Sequence, residues 1–151
     1  MGSPKILSCL LQRKFFHYRF ICVIKIADES LYCRRFVACP YTVEGDALRE
    51  LTGLEIIGEA ADGNEAMIGI SELNPDVVTL DIRMPDQNGL EVLKNIRTNN
   101  PDTVVIVLTN FPYPQYRKKC MKLRAKYFFD KSNEFERVRN VLEQLIRDTQ
   151  T

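Results

Sequence analysis

The string VVTLDIRMPDQNG, residues 77–89, delivers a carboxylate, Asp81, at the exit of an apolar run. A Met-Pro step and a polar turn ending at Gly89 follow it. Other reactive groups close other apolar runs: Asp28 and Glu29 after FICVIKIA, Thr109 after TVVIVL, and Lys131 just after KYFF. In an open parallel α/β sheet, ligands bind beyond the carboxyl ends of the strands. A strand order of 2-1-3-4-5 would bring all of these groups to one edge. Three carboxylates held together repel, and a hard divalent cation with oxygen ligands, Mg²⁺, relieves that repulsion. Lys131 adds a positive charge and Thr109 a hydroxyl donor. Such a set suits phosphoryl transfer, which needs an in-line nucleophile and neutralised equatorial oxygens. An aspartate can be that nucleophile and form an acyl phosphate. The expectation is that Asp81 attacks, the metal and Lys131 hold the phosphoryl oxygens, and Thr109 bonds one of them.

The elements that must position these residues alternate from residue 54 onward. LEIIGEA reads as a strand, and GNEAMIGISELN as a helix with Ala66, Met67, Ile70 and Leu73 at helical spacing. DVVTL is a near-continuous apolar run, so both faces of that strand should be covered. LEVLKNIRTNN places Leu90, Leu93 and Ile96 on one helical face, and TVVIVLT is a second apolar strand. YPQYRKKCMKLR reads as a short basic helix and KYFF as a short strand. The final helix is expected from a cap at Ser132 or Asn133 through Phe135, Val138, Val141, Leu142, Leu145 and Ile146. Alternation with short connections predicts a five-stranded, doubly wound parallel sheet with right-handed crossovers and helices on both faces.

The first third is less regular. FICVIKIADES, residues 20–30, reads as a strand ending in acids. LYCRRFVA can start a helix, but Pro40 should end it, which makes the first helix irregular. GDALRELTG is a second helical piece, starting near Asp46 and stopped by Gly53. Residues 1–19 have no clear period and form a leader or irregular extension, with one domain over 20–151.

Composition narrows the classes. The chain has 151 residues, 45% apolar and 27% charged, which suits one globular domain with a real core. No apolar run approaches the ~20 residues a bilayer span needs, so no membrane partner is expected. The cysteines at 9, 22, 33, 39 and 120 show no CxxC spacing, and their odd number implies free thiols in a reducing cytoplasm. Residues 1–25 hold Lys5, Arg13, Lys14, Arg19 and Lys25 and no acid, so the remainder is net acidic. A signal peptide is disfavoured, because QRKFFHYRF interrupts the short apolar ILSCLL at once.

The chain resembles the response-regulator receiver domains of two-component signalling, of the stand-alone type. The resemblance rests on ADES at 27–30, GEAADGNEA at 58–66, PDVVTLDIRMPDQNGLEVL at 75–93, VVIVLTN at 104–110 and AKYFFDKS at 125–132. It implies a flavodoxin-like fold with Asp81 as phosphoacceptor. Asp28, Glu29, Asp81 and the backbone carbonyl of Arg83 would be the Mg²⁺ ligands. Thr109 and Lys131 would bind the phosphoryl group, and Phe128 falls at the aromatic switch position. The implied partners are a histidine kinase or phosphotransfer protein and a downstream protein. The implied activity is self-phosphorylation and slow autodephosphorylation, which is a switch more than an enzyme. The sequence departs from the family in its Asp-Glu pair, which a one-residue slip would turn into Ala27-Asp28. It also departs at Pro40, at Ser132 after the lysine, where a trans peptide bond is expected, and at Arg124, where a left-handed residue would be mildly strained.

Blander readings stand beside these. Phe128 also suits plain core. Arg117, Lys118, Lys119, Lys122, Arg124 and Lys126 read as a solvated helix face. They also suit an acidic protein partner or, with Tyr113 and Tyr116, a nucleic-acid patch; no nucleic acid is expected. His17, the one histidine, makes neither a zinc site nor a phosphotransfer module. The alternative function is a non-phosphorylated receiver-like interaction module. A phosphatase-type hydrolase is weaker still, because Arg83 stands where a second acid would be needed.

Overall fold

The computed structural model describes residues 21–26 as backbone and residues 51–84 and 88–149 in full. The expectations for residues 1–19, for the helical pieces before Gly53 and for the break near Pro40 lie outside the described residues. The described residues form five strands and four helices in the order β1 (Ile21–Ile26), β2 (Leu54–Ala60), α1 (Gly63–Leu73), β3 (Val77–Leu80), α2 (Gly89–Asn99), β4 (Val104–Thr109), α3 (Pro114–Lys122), β5 (Tyr127–Asp130) and α4 (Phe135–Thr149), with strand and helix alternating from β2 onward. The sheet order is β2-β1-β3-β4-β5, as expected.

β3, β4 and β5 are parallel, with Val77 opposite Val104 and Val107 opposite Phe128. β1 corrects the all-parallel expectation. It runs antiparallel to both β2 and β3, pairing Ile21 with Ala60 and Leu80, and Ile26 with Leu54. A short apolar run reads the same in either direction, so its hydropathy does not set its polarity. Antiparallel pairing is also slightly the more stable per residue. The β1–β2 pairing shifts register between Val23 and Ile24.

Strand periodicity divides the core in two. Val78, Leu80, Val105, Val107 and Phe128 face α1, α2 and α3, packing on Ile70, Leu93, Ile96 and Cys120. Val77, Ile106, Leu108 and Phe129 face α4, packing on Val138, Leu142 and Ile146. Every residue of β3 is buried, as its continuous apolar run required. Cys120 sits within the first layer, and burial pushes its thiol up to about 11, so it behaves as core.

The helices begin and end for local reasons. Asp62 caps α1 by accepting from the Glu65 N–H, while Glu65 reaches back to the Ala61 N–H, a reciprocal arrangement that satisfies two free donors. Asn88 caps α2 at Leu90, and Pro114 supplies the preset φ of the first turn of α3. α4 begins later than the expected cap. The Glu134 carbonyl accepts from Arg137 and Val138, so Glu134 is the cap, while Ser132 and Asn133 form the preceding turn. There are no cis peptide bonds among the described residues, so Lys131–Ser132 is trans.

Arg124 follows α3 with φ of 63°, the left-handed conformation expected for it. An L-residue pays roughly 1–2 kcal/mol there. Glycine removes that cost but raises the entropy of the unfolded chain by about 0.4–1 kcal/mol. Burial and, after it, the nearby Arg124 charge disfavour the Arg97 charge. Arg124→Gly is therefore expected to stabilise the fold by up to about 1 kcal/mol. Urea unfolding checks this, and a midpoint below wild type refutes the strain. No helix among the described residues is long and apolar enough to cross a membrane.

Candidate phosphoacceptor site

The parallel register of β3, β4 and β5 brings three of the expected residues to one edge. Asp81 follows Leu80, Thr109 ends β4, and Lys131 follows β5. The Lys131 N–H donates to the Thr109 carbonyl at 3.0 Å, which ties the β5 end to β4. Asp81 is only 6% exposed and Thr109 fully buried.

Burial raises the Asp81 carboxyl above its usual range. The Arg83 N–H, the Lys131 charge, the Thr109 hydroxyl and the Ile82 N–H oppose that rise in decreasing order. The Arg83 N–H donates to Asp81 Oδ1 at 3.1 Å. Thr109 Oγ1 accepts from the Phe111 N–H at 3.1 Å, which leaves the hydroxyl proton for the carboxylate. The result is a buried anion held by oriented donors and one cation.

The loop after Asp81 is built around a close approach. The Gly89 N–H donates to the Ile82 carbonyl at 2.9 Å, and Arg83 bridges Asn88. A Cβ on Gly89 would lie 2.7 Å from Ile82 Cα and nearer still to the Asp81 carbonyl oxygen. The first turn of α2 thus rests directly on the backbone that presents the carboxylate.

Phe128 is 3% exposed and packed in the α1–α3 layer, with the Arg117 guanidinium 4.7 Å from its ring centroid. Its ring is thus already inside the core. Asp28 and Glu29 lie outside the described residues. The strand before them ends with Ile26 opposite Leu54, at the end of the sheet away from Asp81. No group of three metal-ligating side chains occurs among the described residues. What the site does offer is a buried carboxylate and, two residues on, the Arg83 carbonyl. These are hard oxygen donors of the kind Mg²⁺ takes with several retained waters.

Sequence reasoning missed Asp130 and Glu134, which shape the turn that carries Lys131. Asp130 Oδ1 accepts from the Ser132 N–H at 2.9 Å and Oδ2 from the Asn133 amide at 2.8 Å, and these bonds hold its carboxyl below the usual range. Glu134 Oε2 in turn accepts from the Asp130 N–H. The signal was present in DKSNE, an acid pair spanning a helix start.

The family model of the response regulator receiver domain matches residues 45–143. The chemotaxis protein CheY of Thermotoga maritima is 36% identical over 93 residues, covering 62% of this chain and 78% of that protein. A protein-glutamate methylesterase/protein-glutamine glutaminase of Geobacillus kaustophilus is 42% identical over 84 residues, covering 56% of this chain. The chain spans only 22%, 31% and 23% of the length of that protein and of two others so named, so the expected stand-alone character gains no support. Among solved structures, the response regulator domain of Thermotoga maritima CheB superposes with a TM-score of 0.60 at 31% identity, over 70% of this chain and 84% of that one.

Proposed function

Because the chain belongs to the response regulator receiver domain family, and is thereby a signalling module of two-component systems, we propose that it is a phosphoacceptor switch acting through Asp81. The observation that carries this reading is the Asp81 carboxylate, buried at a strand end against the Thr109 hydroxyl and under the Lys131 charge. A carboxylate oxygen attacks the phosphorus of a phosphohistidine on a histidine kinase or phosphotransfer partner. The P–N bond breaks, its electron pair stays on the imidazole, and an acyl phosphate forms on Asp81. Lys131 and Thr109 then pair with the phosphoryl oxygens. Receiver domains generally use Mg²⁺; Asp81 and the Arg83 carbonyl would hold it, where it would neutralise phosphoryl charge. We place the domain at residues 20–151 and its action in the cytoplasm.

The test is incubation with Mg²⁺ and acetyl phosphate, followed by intact mass. The expected result is one added phosphoryl group on the wild type and none on Asp81→Asn. One observation favours a second reading, a receiver-like interaction module that is not phosphorylated: antiparallel β1 carries Ile26 away from Asp81. Under that reading the wild type gains no mass either. An Asp28→Ala/Glu29→Ala variant that is phosphorylated normally removes Asp28 and Glu29 from the site.

The output surface we propose is α3, β5 and α4. The exposed Arg117, Lys118, Lys119 and Lys122 of α3 face a downstream acidic protein. Phe128 is the proposed switch residue. Its ring is held beneath Arg117, so any movement of the ring moves the basic helix. Lys131→Ala should keep the fold and uncouple the surface from the site, because its contact with phosphoryl oxygens belongs to the activated state. The expected result is loss of the NMR shift differences that beryllofluoride induces in residues 111–130. Their persistence at wild-type size removes Lys131 from the mechanism.

A further inference from the structure

Asn88-Gly89 is the one Asn-Gly step in the chain. Asparagine is among the thermolabile residues, and a glycine after it leaves the peptide nitrogen unshielded by a Cβ. Packing demands that glycine, since a Cβ on Gly89 would lie 2.7 Å from Ile82 Cα. The close approach that seats α2 on the acceptor loop thus also places a chemically labile pair there. The fold holds that pair closed. The Gly89 N–H donates to the Ile82 carbonyl at 2.9 Å, and the Asn88 carbonyl accepts from the Glu91 N–H at 2.8 Å. Asn88 Oδ1 accepts from the Leu90 N–H at 3.1 Å. Asn88 itself is exposed, so water reaches its amide. The loop on which α2 rests is braced from its other side. Arg83 bridges Asn88, and the Arg83 guanidinium carbon lies 4.4 Å from the Phe111 ring centroid, a cation–π contact. Helix ends open at lower cost than core strands, so the first turn of α2 is the part that lifts.

We propose that Asn88 is a deamidation site, kept closed by the fold and opened when the first turn of α2 lifts from the acceptor loop. The Gly89 nitrogen attacks Asn88 Cγ. The N–Cγ bond forms as the Cγ–Nδ2 bond breaks, the Gly89 proton passes to solvent, and Nδ2 takes up a proton and leaves as ammonia. A cyclic imide remains, and water opens it at one of its two C–N bonds. Opening at Cγ gives aspartate, and opening at the main-chain carbonyl gives isoaspartate. In the closed state the Gly89 proton is held by the Ile82 carbonyl and the Asn88 side chain by the cap bond, so the attack waits for the lift. The two products differ in what they do to α2. Aspartate caps a helix about as well as asparagine and adds negative charge where the helix dipole favours it. Isoaspartate adds a methylene to the main chain just before Gly89, so Gly89 cannot keep both its helical place and its bond to Ile82. The isoaspartate form therefore loses the seat of α2 and, with it, phosphoryl acceptance. That consequence rests on the reading of Asp81 as phosphoacceptor, whereas the deamidation does not.

The experiment ages the full chain at pH 8, in buffer and in urea, and follows amide loss at residue 88 by peptide mass. The folded chain should deamidate about ten- to thirtyfold more slowly than the unfolded one, the factor that corresponds to one backbone hydrogen bond and one helix cap. Asn88→Ser, which keeps a capping oxygen and has no amide, should leave that peptide unchanged. Val92→Ala loosens α2 one turn beyond Gly89 and should raise the folded rate severalfold. Val138→Ala, the same substitution in α4 on the opposite layer, should not. Equal rates in buffer and urea, or equal acceleration by the two valine substitutions, overturns the proposal, and the first comparison needs no variant. Chromatography then separates the aged forms for incubation with acetyl phosphate and Mg²⁺. The aspartate form should gain the phosphoryl mass and the isoaspartate form should not. An isoaspartate form that accepts normally overturns the consequence for the acceptor. A wild type that gains no phosphoryl mass overturns the phosphoacceptor reading and leaves the deamidation site standing.

Discussion

Asp81→Asn is expected to abolish phosphoryl acceptance and, in the same molecule, to raise stability at neutral pH. The first effect is all or none, because an amide is not a nucleophile of this kind and Asp81 is the proposed acceptor. The second follows from burial. Asp81 is 6% exposed, and its burial raises the carboxyl pKa above the unfolded value. A raised folded pKa means that the folded state binds the proton more tightly. The associated stability is present below the unfolded pKa, near 3.9, and is lost as pH rises through the folded value. At pH 7 the wild type therefore carries a penalty that the neutral amide does not. The amide also removes the attraction between the Asp81 charge and Lys131, which works the other way; desolvation stands first among the causes, so the net sign favours the variant. Thermal melts from pH 3 to pH 8 should show the gap between variant and wild type widening upward through the acid range. Equal melts at every pH would mean that the carboxylate is adequately solvated and the burial argument is wrong. Persistence of the phosphoryl mass in the variant would move the acceptor to another residue.

β2 has the bounds its apolar run suggested, and all of β3 is buried as an uninterrupted apolar run requires. Asp81, Thr109 and Lys131 were legible because parallel strands put their exits on one edge, and each residue closes a run. The direction of β1 was not, since side-chain alternation has no polarity and only the pairing partner decides it. Arg124 was legible as a helix-end position needing φ above zero. The start of α4 was misplaced because Ser132 and Asn133 are good caps in isolation. Asp130 takes both of them into its own turn and moves the cap to Glu134. The Arg83–Phe111 contact joins loops far apart in the chain, and no local pattern encodes it.

Gly89→Ala is expected to be strongly destabilising for a single added methyl. Gly89 opens α2 at a point where the helix meets the Asp81–Ile82 backbone. The added Cβ would stand 2.7 Å from Ile82 Cα and 3.0 Å from the Ile82 carbonyl oxygen, with the Asp81 carbonyl oxygen nearer still. All three are backbone atoms, so no side chain can rotate away. Overpacking of this kind costs typically about 1–3 kcal/mol, occasionally more. Relief requires α2 to lift, which also strains the Gly89 N–H bond to the Ile82 carbonyl, a bond of about 1 kcal/mol net. Alanine recovers at most about 1 kcal/mol of helix propensity. The balance is a loss of about 1–3 kcal/mol, a drop in Tm of roughly 2–12 °C for a domain of this size. The same lift displaces the peptide that presents the Asp81 carboxylate. Phosphoryl acceptance should therefore fall even at temperatures where the variant is fully folded. Urea midpoints together with acceptance rates at 10 °C measure the two effects separately. A variant that melts with the wild type would show that α2 does not rest on the acceptor loop. One that melts early yet accepts phosphoryl at the wild-type rate would show that the contact supports the fold without positioning the carboxylate.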